Sequence, residues 1–385
     1  MTSRAANNDE YTEPLSSAAL AAQLNLPASV ADPALLTYRS VGIGCFGVLM
    51  RFGGMPLEKI ALFMNSSQVS GKGQFGQAIQ LTFKDGALAP YRVVGRASLV
   101  AWFFQYSVMG FAFQLVDQGL SKMMGVPATP YGSELMKPPG SSTGQEGDQA
   151  SLDFRIKSAA KTLLAPILAA SLESKVSNRA EVQRYFGKQQ FATIESNLLA
   201  QRSYPLLSRM AGPAFFPSAM RNTIMCQTTF VLTPITYKLY FPQEHKTKSS
   251  LFWYGLSMNI FVGNVAAITQ QALWGRSLDM LAEKGRIDYS AVIRQGLHKE
   301  GIAAFFTVPK WGSRVLMNAP AQGVLPWFYN DVLPLGERTV LAAVKTCVYE
   351  PFWNEVEHTT TARLPEAVKV ETQGPPRFTA NSPRS

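Results

Sequence analysis

Residues 37–54, TYRSVGIGCFGVLMRFGG, form an apolar stretch rich in small residues that runs into Met55-Pro56-Leu57-Glu58. Its glycines (Gly42, Gly44, Gly47, Gly53 and Gly54) read as close helix packing, because no lysine of the phosphate-loop type follows them. Two further stretches have the same character: KTLLAPILAASLES at 161–174 and LFWYGLSMNIFVGNVAAITQQALW at 251–274. Each is followed by a polar stretch holding a short amphipathic segment, at 74–84, 189–199 and 289–299. A second apolar segment then closes each unit, at 97–117, 214–241 and 311–333. An order repeated three times along one chain predicts three structural repeats of about a hundred residues each.

Boundaries follow from the breaks in composition. Residues 1–33 read as a polar arm, 34–125 as the first repeat and 126–152 as a Pro/Gly/Ser-rich linker. The second repeat is expected at 153–241 and the third, after the polar break at 242–250, at 250–335. The remainder, 336–385, reads as a helix over 336–361 followed by a Pro-rich polar tail. None of the apolar segments is an uninterrupted run of 20, and Arg51, Arg96 and Arg221 interrupt or flank them. Such placement suits helices with one face on a water-filled cavity.

Composition narrows the function classes. Charged residues are 16% of the 385, well under the roughly 25% of a soluble domain. The net charge of +10 is spread without a basic stripe, which argues against nucleic acid and suits anionic lipid. Cys45, Cys226 and Cys347 lie far apart, as do His245, His298 and His358, so no metal site, cofactor or enzymatic centre is expected. The N-terminal segment, with Asp9, Glu10 and Glu13, fits neither a secretory signal nor an acid-poor presequence.

Motifs in the repeats carry a family resemblance. Pro56-Leu57-Glu58 closes the first apolar stretch, and Asp85-Gly86 precedes Tyr91-Arg92. Glu300-Gly301 precedes Phe306 in the third repeat, and Phe215 to Asn222 opens the fourth apolar segment. In this order and spacing the chain resembles the mitochondrial carrier family. The resemblance implies an all-α membrane protein, with six transmembrane helices in three pseudo-symmetric repeats and short matrix helices between them. It also implies a multi-pass location in the mitochondrial inner membrane, with the outer membrane as the alternative.

Within that resemblance the gate positions are Pro56, Glu58, Glu173 and Trp274 on one side, and Gln114 and Asn330 on the other. The acid positions hold Glu58, Glu173 and Trp274 and the base positions Ala61, Val176 and Ser277, so three motif ion pairs cannot form. At the opposite gate, Gln114 and Asn330 replace acids, while Asp117 and Leu333 replace bases. Counting along the even helices places Val100 or Ala101, then Arg221-Asn222, and then Arg314, Val315 or Met317 at the substrate positions. A guanidinium there implies a small carboxylate-bearing anion held bidentately. Gly86, Tyr91, Arg92 and Gly301 fall where the family holds cardiolipin, so cardiolipin or another anionic lipid is the implied lipid partner. The reading is a transporter of a small anionic metabolite and not an enzyme. The alternative is a carrier-fold protein that no longer transports and serves in membrane dynamics or as a subunit of a membrane protein complex.

Overall fold

The computed structural model describes residues 17–64, 73–92, 96–137, 152–186, 188–200 and 206–352, and among these there is no strand. The all-α expectation therefore holds. A short helix α1 (Ser17–Gln23) precedes the first long rod, α2 (Ala28–Gly53), which bends at Gly54 into α3 (Met55–Met64). After α4 (Gln74–Phe83) comes the second rod, α5 (Arg96–Met124), and the third is α6 (Leu152–Phe186). The short helices α7 (Lys188–Ala200) and α8 (Leu206–Ala211) lead to the fourth rod, α9 (Phe215–Cys226) continued by α10 (Thr233–Tyr240). The fifth joins α11 (Lys248–Met258) to α12 (Asn264–Lys284), and α13 (Tyr289–Glu300) follows it. The sixth runs through α14 (Val308–Asn318), α15 (Leu325–Trp327) and α16 (Leu333–Val344).

Local chemistry sets the ends. Thr247 and Ser250 exchange side-chain and backbone bonds at 3.0 and 2.8 Å in a capping box that starts α11. Asp288 accepts the Ala291 amide at 3.0 Å to start α13. Gly285 stops α12 at φ +66°, a conformation that costs a side chain about 1 kcal/mol or more. Rods four to six each contain π-helical turns, at Gln227–Leu232, Asn259–Gly263, Ala319–Gly323 and Phe328–Val332. Pro234, Pro326 and Pro334 remove amides from the helical ladder in rods four and six. At the π-helical turns of rods four and five side chains add bonds to the ladder: Thr233 donates to the Thr228 carbonyl at 2.7 Å and Asn264 to the Asn259 carbonyl at 2.9 Å.

The six rods form a closed ring. Each packs on the next in chain order, and the sixth returns to the first through contacts of α16 and the Ala319–Gly323 turn with α2. Close approach of rods one and two requires glycine: a Cβ on Gly44 would collide with Phe103 and Ser107, and one on Gly47 with the Tyr106 ring. The rods also turn many apolar side chains outward, among them Phe104, Leu163, Leu168, Met220, Trp253 and Phe261.

Several boundaries differ from the sequence reading. The arm expected at 1–33 contains helix from Ser17, and the first rod starts at Ala28, because Leu20, Ala21, Leu26 and Ala31 bury against Leu35 and Leu341. Residues 1–16 lie outside the described residues. The linker expected at 126–152 is packed over 126–137, where Leu135 is fully buried; 138–151 lie outside the described part. Residues 336–352 are no separate surface helix but extend the sixth rod, with Glu337 and Leu341 buried. The tail from 353 onward lies outside the described residues. Among the described residues, two helices, Ala28–Gly53 and Lys248–Lys284, are long and apolar enough to cross a membrane. The other rods carry interior polar groups that dilute them.

Gly47→Leu is expected to lower unfolding stability by about 1–3 kcal/mol, the usual cost of overpacking. Gly53, where a Cβ meets nothing within 4 Å, is the control position. Thermal unfolding of the purified protein compares the two, and equal melting temperatures for Gly47→Leu and Gly53→Leu would contradict the packing described.

Candidate functional site

The ring interior is built in three layers, because alternate rods run in opposite directions. At one end are two buried ion pairs. Arg39 of the first rod meets Glu337 of the sixth at 2.7 Å, and Lys161 of the third meets Asp117 of the second at 2.9 Å. A more exposed pair, Lys248 with Asp331 at 3.6 Å, joins rods five and six. The middle layer is apolar: Ile43, Phe46, Met109, Ala169, Cys226 and Leu325 belong to one buried cluster. Within it Phe113 stacks on Phe230 at 5.0 Å, and Phe230 meets Tyr329 at 5.3 Å. These side chains fill the space between the rods.

Below them lies a polar layer to which every rod contributes. The first rod supplies Arg51, paired with Glu58 across the bend at 3.2 Å and lying over the Trp102 ring. Rod two supplies Gln105, which donates to Glu173 of rod three at 3.0 Å. Arg221 of rod four meets Glu181 of rod three at 2.9 Å, the Gln271 side chain of rod five at 2.8 Å and Asn222 at 2.9 Å. Asn222 also donates to Glu173 and, at 2.9 Å, to Ser174. From rod six Arg314 donates Nη1 to the same Gln271 oxygen at 3.2 Å.

The two arginines differ in what they have left to offer. Arg221 is occupied by an acid, two amide oxygens and, more distantly, Ser218 at 3.4 Å. Arg314, only 5% exposed, has no acidic partner among the described residues, and its Nε is buried without an acceptor. Burying a guanidinium costs several kcal/mol unless its charge and donors are met. Arg51, Arg221 and Glu181 all lie within electrostatic reach of Arg314, so its surroundings do not neutralise it. Glu173 is the complementary case: 2% exposed, it is held by amide and hydroxyl donors and has no cation paired with it among the described residues. Desolvation here is met by hydrogen bonds, with the Arg221 charge within electrostatic reach.

Arg221, Asn222, Arg314 and Glu173 thus come together. Val100 does not: it is 54% exposed on rod two, and Gln105 supplies that rod's polar contact. Pro56 sits in the first turn of α3, past the bend, and Glu58 pairs with Arg51 there. Trp274 is buried and donates its indole N–H to Asn178 at 3.1 Å, so a neutral hydrogen bond stands where the motif has an acid. Gln114 is buried and bonds only its own rod, at the Gly110 carbonyl. Asn330 bonds the Pro326 carbonyl at 2.8 Å and accepts from the Gly132 amide.

Charge pairs stand at the upper end even so: Asp117, at the motif's base position, pairs with Lys161, and Arg39 pairs with Glu337. Lys161, Arg39 and Glu337 lie outside the motif register, so matching motifs could not find these pairs. Glu337 lies seven residues, about two helical turns, beyond Asn330 on the same rod. Of the lipid positions, Gly86 and Gly301 occupy equivalent turns with φ of +100° and +62°. Tyr91 packs on Phe52 at 5.0 Å, and Arg92 is exposed. Beside Gly301, the Arg276 hydrogen bond at 2.6 Å holds the exposed Glu300 carboxyl below its ordinary range. No group of three or more potential metal ligands occurs among the described residues.

The Asp117–Lys161 pair is expected to behave as one unit. Lys161→Met or Asp117→Asn alone leaves a buried group unpaired and should cost about 3–5 kcal/mol. Combining both should cost clearly less than the sum, by denaturant unfolding in a double-mutant cycle. Additive losses would show that the pair is not coupled. Comparisons with protein-family models, with curated proteins and with solved structures each gave no match.

Proposed function

We propose that this chain is a divergent membrane protein of the mitochondrial carrier type, with all six rods spanning the inner membrane. On this reading it moves a small carboxylate-bearing anion through the ring. Support for the membrane reading comes from the many large apolar side chains that the rods expose, among them Phe104, Leu163, Trp253 and Phe261. The buried charged groups between the rods fit a bundle whose lumen is the polar side.

The observation that carries the transport reading is Arg314. Its Nε is an unused donor at a buried guanidinium. The edge left by Nη1, which Gln271 occupies, is Nε with Nη2, the side-on geometry that binds a carboxylate through two parallel hydrogen bonds. Arg51 is met by Glu58 and Arg221 by Glu181, while Glu173 is held by amide and hydroxyl donors, so Arg314 is the arginine of the layer without an acid paired to it. A carboxylate bound at its open edge supplies that acid. Arg221 then serves to position Gln271, which bridges the two arginines.

A second reading, a carrier-fold scaffold without transport, is favoured by the filled middle layer. Submitochondrial fractionation separates the two, since an outer-membrane location or a fixed stoichiometric partner favours the scaffold.

In liposomes the purified protein is expected to take up labelled small carboxylates. Arg314→Gln should abolish uptake, and Arg314→Lys, which keeps the charge but loses the fork, should retain part of it. Uptake that is absent across a broad panel for the parent protein, or unchanged in Arg314→Gln, sinks the proposal.

A further inference from the structure

The segment that leaves the second rod crosses the upper end of the ring and touches both buried ion pairs. At one pair, the Thr129 amide and hydroxyl donate to the two Asp117 oxygens at 2.9 and 2.8 Å, while Lys161 donates to the Pro127 carbonyl at 2.9 Å. At the other, the Tyr131 hydroxyl donates to Glu337 at 2.8 Å, and the Arg39 guanidinium lies 4.0 Å above the Tyr131 ring. The same ring meets Tyr329 of the apolar layer at 4.8 Å. Further along, the Gly132 amide reaches Asn330, Gln243 donates to the Met136 carbonyl at 2.6 Å, and Leu135 is buried with Tyr237 and Leu251.

We infer that residues 127–137 are a strap that latches this mouth of the ring shut, with Thr129 and Tyr131 as its two fastenings. The inference rests on reading the ring interior as the solute path. Rods one and six, and rods two and three, each hold one ion pair at the mouth. The strap adds a ligand to each pair, so neither pair of rods separates at this end while the strap stays seated. Four of its contacts end on ionised groups, and hydrogen bonds of that kind are stronger than neutral ones. They are also exposed to competition by water once one fastening lets go, so release of one end favours release of the other. Tyr131 further ties the latch to the apolar layer, because its ring continues the stack of Phe113, Phe230 and Tyr329. Opening the mouth and loosening the aromatic layer are therefore one event.

The test uses the full chain in lipid nanodiscs, with Cys45 and Cys347 replaced by Ser, Cys226 replaced by Ala and one reporter, Leu333→Cys, in the buried cluster against which Tyr131 packs. Labelling of this cysteine by a bulky hydrophilic maleimide reports opening whether or not any solute is carried, so a failed transport reading leaves the result interpretable. The parent should label slowly. Thr129→Ala/Tyr131→Ala should label at least about tenfold faster, as expected when hydrogen bonds to charged groups are lost. Thr129→Val/Tyr131→Phe, which keeps the side-chain volumes, should show a smaller increase and guards against misfolding of the alanine variant. Equal slow rates in folded parent and variants, or fast labelling of the parent, overturn the inference.

Discussion

The Arg221 guanidinium, in contact with Glu181, Gln271 and Asn222, is the interaction on which the lower half of the ring depends. A buried guanidinium carries five donors and a full charge, and each unmet donor costs free energy in a low-dielectric interior. Meeting them takes side chains from rods three, four and five, so one residue fixes the distance between three helices. Gln271 has a single oxygen and spends it on both Arg221 and Arg314. The shared acceptor draws rod six into the same layer and leaves Arg314 short of partners. The unmet donor at Arg314 is thus a consequence of how Arg221 is satisfied.

The upper half solves the same problem differently. Two ion pairs and a strap close that end, and apolar side chains fill the space beneath. Buried ion pairs contribute little net stability compared with apolar packing, but they are strongly destabilising to break singly. They make an end that is either fully paired or open, with little in between. Combined with π-helical turns in rods four to six, which interrupt the regular ladder near the middle of each rod, the ring has places to bend between a paired end and a polar layer.

Much of the fold was legible in the sequence because it rests on periodic, local signals. The three small-residue stretches become rods one, three and five, and the amphipathic segments become α4, α7 and α13. Gly44 and Gly47 meet the second rod as the glycine spacing implied. At the site, counting along the even helices reached Arg221 and, as one of three candidates, Arg314, while their unequal availability was not legible. That depends on Glu181 and Gln271, which lie outside any motif and reach the arginines only through the rotation of neighbouring rods. The pairs Arg39–Glu337 and Asp117–Lys161 were missed for the same reason. The strap was read as part of a linker because Pro, Gly and Ser are plentiful over 126–152 as a whole, and the burial of Leu135 and the packing of Tyr131 depend on tertiary contacts.

The claim at the centre of this account is that Arg314 is an unfilled anion site held inside the ring. Thermal unfolding of the purified protein with and without a saturating small carboxylate tests it most directly, because a ligand that binds only the folded state stabilises by about 2.7 kcal/mol at a hundred times its dissociation constant. The account predicts that stabilisation for the parent and its loss in Arg314→Gln, with Arg221 and its partners intact. Equal stabilisation of both proteins, or none in either, would contradict it.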